Sequence, residues 1–145
     1  MILVAGIHND VYQYFHERIK KYRLEDYVNN GIKLVHSDTK EDYFHKFNLA
    51  LRDTDILWTK PSELSFYAGL GIPIVIAPTI GSQEKFNKYW LELIGAGLAQ
   101  ENPAYTHEWI IDYINNGWLA EAALQGYLEV EREGVDNIRK VVFNK

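Results

Sequence analysis

"PIVIAPTIGSQEKFNKYW", Pro73–Trp90, passes from a β-branched apolar run into a helix-period pattern through a polar corner that contains a glycine. Ile74, Val75 and Ile76 favour a strand, because branched side chains pack well on a pleated surface. Behind the corner, Phe86, Tyr89, Trp90, Leu93 and Ile94 recur at helical spacing, and Gly95 and Gly97 are expected to end that helix. Strand, corner and amphipathic helix together make the repeating unit of an α/β fold. The corner carries more hydrogen-bonding groups than a turn and a cap require: Gly81, Ser82, Gln83 and Glu84, with Asn87 one turn on. A helix N-terminus has unsatisfied N–H groups and a partial positive charge that suit a phosphate or a sugar hydroxyl.

The same unit recurs outward in both directions. Upstream, "DILW" (Asp55–Trp58) reads as a strand, and "PSELSFYAGLG" reads as a helix with Pro61 in its first turn and its end at Gly69 or Gly71. Before that come a strand at Ile2–Gly6, a helix from Asp10 to about Tyr22, a strand at Ile32–His36 and a helix ending near Leu51. Asp38 and Glu41 have capping-box spacing at the start of that last helix. Downstream, "GLAQ" is a short fifth strand, "HEWIIDYINNG" is a helix stopped by Gly117, and a helical stretch from Trp118 breaks near Gly134. Short apolar strands alternating with helices call for an α/β doubly wound parallel sheet with helices on both faces. Ligands of such sheets bind outside the carboxyl ends of the strands. The loops that qualify are Gly6 to Asn9, His36 to Asp38, Thr59 to Glu63 and Pro78 to Glu84.

Bulk properties narrow the function. A chain of 145 residues, 47% hydrophobic, supports one domain with a core of its own. Its net charge of -5 argues against duplex nucleic acid as the main partner, although a local loop can still bind a small anion. With no cysteine there is no disulfide framework, thiolate nucleophile or cysteine-ligated zinc. The five histidines show no metal-type spacing, so no metal is expected. "MILVAGIHND" lacks the basic start of a secretion signal, and "GLGIPIVIAP" is far shorter than a bilayer span of about 20 residues. A cytoplasmic location is expected, with peripheral membrane contact left open.

Each loop offers candidate ligand groups beside a plainer structural reading. His8 and Asn9 offer donors after Gly6, while Asn9 or Asp10 equally serves as a helix N-cap. The loop has no G-x-G-x-x-G and no P-loop lysine pattern, which removes the ordinary dinucleotide and P-loop readings. His36 follows the second strand, where a base or ribose would cross, or is a satisfied edge histidine. Ser62 is an N-cap candidate. Glu63, favoured in a first turn by the helix dipole, would as a ligand accept from two neighbouring sugar hydroxyls.

The stretch from Asp55 to Glu101 resembles the C-terminal, donor-binding half of GT-B glycosyltransferases of the MurG and monogalactosyldiacylglycerol synthase type. The likeness rests on Gly71-Ile72-Pro73 closing a helix, the strand Ile74 to Ala77, the loop Pro78 to Gln83, Asn87, and Gly95-Ala96-Gly97. It implies a UDP-sugar donor in place of a cofactor, with Gln83 and Glu84 facing the sugar and a glutamate on the preceding helix gripping the ribose. Phe66 stands near the family's position for that glutamate, and Glu63 lies one turn away. The resemblance also implies that this domain is the C-terminal half of a longer protein. The N-terminal half, with the acceptor site, would be its partner, and this chain alone would bind without turnover because both reactants must be positioned together. The alternative from the same residues is a non-catalytic α/β interaction or scaffold module, since Gly6-Ile7-His8-Asn9 lacks the family's glycine-rich loop.

Overall fold

The computed structural model describes residues 1–62 and 64–143, so the candidate Glu63 lies outside the described residues. The chain divides into two compact units, Met1–Thr54 and Asp55–Lys145.

In the first unit, β1 (Ile2–Gly6) and β2 (Lys33–His36) pair in parallel, with Leu3 opposite Leu34 and Val4 opposite Val35. A register shift after Val4 then sets Gly6 opposite His36. α1 (Asn9–Lys21) and α2 (Lys40–Leu51) both pack on these strands. Ala5, Ile19, Ile32, Val35, Ala50 and Leu51 are its buried apolar residues, the helical ones coming from the apolar positions of the 3.6-residue pattern. Both expected caps move. His8 is the last extended residue before α1 and its N-cap, so Asn9 and Asp10 are already helical, and Asp10 sits in the first turn where the dipole favours it. Thr39 caps α2, its Oγ1 accepting from the Asp42 N–H at 3.3 Å, because the helix starts one residue later than the Asp38–Glu41 spacing assumes.

In the second unit β3 (Leu57–Thr59), β4 (Ile74–Ile76) and β5 (Gly97–Ala99) form a parallel sheet in that order. Five helices accompany it: α3 (Leu64–Gly69), α4 (Ser82–Leu93), α5 (Thr106–Asn115), α6 (Trp118–Glu129) and α7 (Gly134–Phe143). β4 is the centre, with Ile74, Val75 and Ile76 all at most 1% exposed. Their side chains alternate, as the two-residue period of a strand dictates. Ile74 and Ile76 join Leu64 and Ala68 of α3 and Leu91 of α4, while Val75 joins Trp109 and Tyr113 of α5 and Leu119 of α6. Helical residues therefore pack against both faces of β4. Burial on both sides explains why this strand is an unbroken apolar run and why it was the most legible one.

Two local expectations change in this unit. Pro61 and Ser62 form a bend ahead of α3, and Pro61 is buried there. Gly97 does not end α4, whose C-cap is Ile94; it opens β5 instead. A Cβ on Gly97 would lie 2.4 Å from Leu91 Cδ2, so the close seating of α4 on the sheet requires glycine at that point.

α6 runs past the residues that precede the strands. Gly126 lies against Ala68, Tyr127 approaches Gly71 just before β4, and Gln125 approaches Gly95 just before β5. The helix thus covers the amino edge of the sheet. The protein is α/β, with a two-stranded and a three-stranded parallel sheet flanked by helices. Among the described residues no helix is long and apolar enough to cross a membrane.

Candidate functional site

With α6 against the amino edge, the loops at the carboxyl ends of β3, β4 and β5 hold the exposed polar residues of the second sheet. The first two of these loops are tied together. Asn87, on α4, donates from Nδ2 to the Pro61 carbonyl at 2.9 Å and to that of Ser62 at 3.5 Å. Glu84 accepts from the Ile80 N–H and stands 4.0 Å from Lys60 Nζ. The Asn87 carboxamide therefore welds the corner after β3 to the corner after β4, while the Glu84 carboxylate braces its own corner through Ile80 and reaches across only as a long ion pair with Lys60. The weld accounts for part of the polar surplus seen in the sequence.

Gly81 is the N-cap of α4, at φ 87° and ψ 173°. That backbone region is essentially closed to residues with a Cβ, so the corner depends on glycine for its shape. No neighbour lies within 4 Å of a Cβ built there. The requirement is one of backbone conformation alone. Ser82 and Gln83 follow in the first turn with exposed side chains, and the turn carries the N-terminal end of the helix dipole.

The first unit assembles the other candidates at the carboxyl edge of β1 and β2. Gly6, at φ 64°, accepts from the Ser37 N–H at 3.0 Å. His8 and Asn9 are exposed, and the His8 side chain makes no capping bond. His36 stacks on Tyr12 with ring centroids 4.6 Å apart, and its Nε2 is buried without a hydrogen-bond partner among the described residues. Its carbonyl accepts from Ser37 Oγ at 2.8 Å and from Lys46 Nζ at 3.2 Å. Lys46 also pairs with Asp42 at 2.7 Å, and hydrogen bonds from Lys46 and Ser37 hold the Asp42 carboxyl below its usual range. Gly6, His8, Asn9 and His36 thus belong to one unit, and Ser62, Gly81, Ser82, Gln83, Glu84 and Asn87 to the other.

Beyond β5 lies a cavity of about 340 Å³ that the loop reading did not anticipate. Tyr105, Trp109 and Tyr113 recur every fourth residue and wall it with rings; Trp118 completes the wall, its ring centroid 5.4 Å from that of Tyr113. Glu108 and Asp112 form a second four-residue stripe on α5, and Glu101 adds a carboxylate just past the strand end. Trp109 Nε1 donates to the Asn102 carbonyl at 3.0 Å. Tyr113 donates to the Ala99 carbonyl at 3.1 Å and lies 3.4 Å from Glu101 Oε1. Burial, then the negative charge of Glu101, pushes the Tyr113 phenol above its ordinary value. The two interleaved stripes were the available signal in the sequence, beyond the helix read there. Among the described residues, no group of three or more His, Asp or Glu side chains is placed to hold a metal ion.

The family model described as Domain of unknown function (DUF6938) matches residues 3–119, most of the chain. The chain belongs to that family. The match spans all five strands, the welded corner and most of the cavity wall, so both features lie within the family's domain. No curated protein and no solved structure is matched by the chain.

Proposed function

We propose that this chain is the donor-binding domain of a GT-B-like glycosyltransferase, taking a UDP-sugar at the carboxyl edge of β3 and β4. The observation that carries the reading is the weld: Asn87 holds the two corners together, while Lys60, in a long ion pair with Glu84, and Ser82 and Gln83 remain exposed beside the glycine-shaped N-terminus of α4. Such a corner offers backbone N–H groups, a positive dipole end and one ammonium to a diphosphate, together with hydroxyl and carboxamide groups to a sugar. In a complete enzyme it would stabilise the charge that develops on the departing diphosphate without a metal. Parallel pairing throughout and helical residues on both faces of β4 support the finer fold that goes with this reading, a doubly wound Rossmann-like arrangement. The reading includes an N-terminal acceptor domain as partner and a cytoplasmic location.

Titration calorimetry of the chain with UDP, UDP-glucose, UDP-galactose and UDP-N-acetylglucosamine tests it. Saturable heat with at least one of these ligands, weakened about tenfold by Lys60→Ala through loss of one charge-assisted contact, is the expected result. Absence of heat at millimolar ligand, with Gln83→Ala and Lys60→Ala indistinguishable from the parent chain, overturns it.

A second reading, an interaction module without donor binding, is supported by one feature of α4. Phe86, Tyr89 and Leu93 lie along one side of the helix, each more than 60% exposed. Solvent-facing apolar stripes of this kind mark docking surfaces. Donor binding that survives Phe86→Ser would separate the two readings.

A further inference from the structure

We infer that the cavity beyond β5 is a binding site for a small organic ammonium ion. The inference does not rest on the donor reading, since the cavity and the welded corner share no residue.

Three properties of the cavity select the ligand. Its volume of about 340 Å³ falls at the lower end of small-molecule sites. Its rings are of two kinds: Trp109 and Tyr113 are buried and each anchored through its polar atom to a backbone carbonyl, so that part of the wall does not depend on a ligand to form, while Tyr105 and Trp118 keep about half their surface exposed. Its charge is of one sign, because Glu101, Glu108 and Asp112 line it and no lysine or arginine among the described residues does. Anions are repelled by this set. A neutral sugar would donate hydrogen bonds to these exposed carboxylates but would leave their three like charges uncompensated. A metal ion needs several oxygens converging within bonding distance, an arrangement not found among the described residues. An organic ammonium satisfies both halves of the site, giving its charge to the carboxylates and its C–H surface to the aromatic faces.

The Tyr113 phenol is raised first by burial and then by the charge of Glu101, which faces it from the cavity wall. Glu108 has another neighbour, His107, whose Nε2 lies 3.5 Å from its carboxylate on the exposed side of α5. That contact leaves Glu101 and Asp112 unchanged, and the sign of the cavity with them.

The probes are choline and butylammonium, each paired with its neutral counterpart, 3,3-dimethylbutan-1-ol and butan-1-ol. Tryptophan fluorescence of the full chain gives the readout, because Trp109 and Trp118 belong to the wall. The expected result is a saturable change with a cation, weaker by about tenfold or more for its neutral counterpart. Glu108→Gln combined with Asp112→Asn, both on the exposed surface of α5, should weaken the cation by a similar factor and leave the far-ultraviolet circular dichroism unchanged. Trp118→Leu should weaken it through loss of a ring. Equal response to cation and neutral counterpart overturns the proposal, as does saturation by glucose or by calcium ion with none by either ammonium. Full cation binding in the doubly neutralised variant also overturns it.

Discussion

The corner after β3 and β4 and the cavity after β5 sit along one edge of one sheet, yet their chemistry is opposite. At the corner, a glycine with positive φ opens α4, and exposed Lys60, Ser82 and Gln83 surround a positive helix end. At the cavity, the rings and carboxylates of α5 and its neighbours make a wall with no lysine or arginine among the described residues. The strands contribute the same thing to both, a set of parallel carboxyl ends from which loops depart. What differs is the loop and helix residues that follow each strand. A position on a fold therefore nominates a site, and the loop and helix residues decide what it accepts.

Variants that separate the two regions, or remove them together, test this contrast. Leu91→Ala should have the largest effect: Leu91 is wholly buried against β4 and β5, and its truncation should lower stability by about 2–5 kcal/mol in urea denaturation. It should weaken both regions together, because both hang from that sheet. Next, Gly81→Val forces a branched residue into a conformation suited to glycine, at about 1–3 kcal/mol. Calorimetry should then show UDP binding lost while the fluorescence response to choline remains. Loss of both would mean that corner and cavity are not independent. Asn87→Ala leaves the buried Pro61 carbonyl without its carboxamide partner and should cost about 1–2 kcal/mol, with a weaker UDP response and an intact cavity.

The smallest effect concerns the cavity alone. Tyr113 ionises above its ordinary value when folded, so as pH rises past about 10 the unfolded chain loses its proton first. The unfolded state then holds fewer protons, and stability falls with increasing pH. Tyr113→Phe should remove that part of the alkaline loss, seen as a shallower decline of the denaturation midpoint between about pH 9 and 11. An unchanged slope would show that the Tyr113 environment is not as buried and negative as described.

Most elements were legible because their signals are local. β1 falls at Ile2–Gly6 as the apolar run and its closing glycine imply, and α5, α6 and the break before α7 follow the helical periodicity and Gly117. The caps were less legible. His8 and Thr39 hold positions that Asn9, Asp10 or Asp38 fit equally well by type, and only the hydrogen-bonding register of each helix chose between them. The 3-10 turn at Glu25–Tyr27 had no periodic pattern to announce it.

For the site, residue chemistry pointed to the Gly81–Asn87 corner, but the duty of Asn87 in holding two loops together depends on groups far apart along the chain, Asn87 and Pro61. The cavity was hidden for a related reason. An aromatic stripe at four-residue spacing is the same in sequence whether it faces a core or a hollow, and Trp109 and Tyr113 do both.

The order of residues alone settled what short-range physics can settle: an α/β alternation, a strongly β-branched strand at Ile74–Ile76, an acidic chain with no thiol chemistry, and a polar corner that contains a glycine. Folding in three dimensions decided which edge of the second sheet α6 covers, which polar groups are used up in joining loops, and where rings and carboxylates meet around a hollow. Those outcomes turn on distances between residues remote in sequence, and such distances are set by the packing of the whole core.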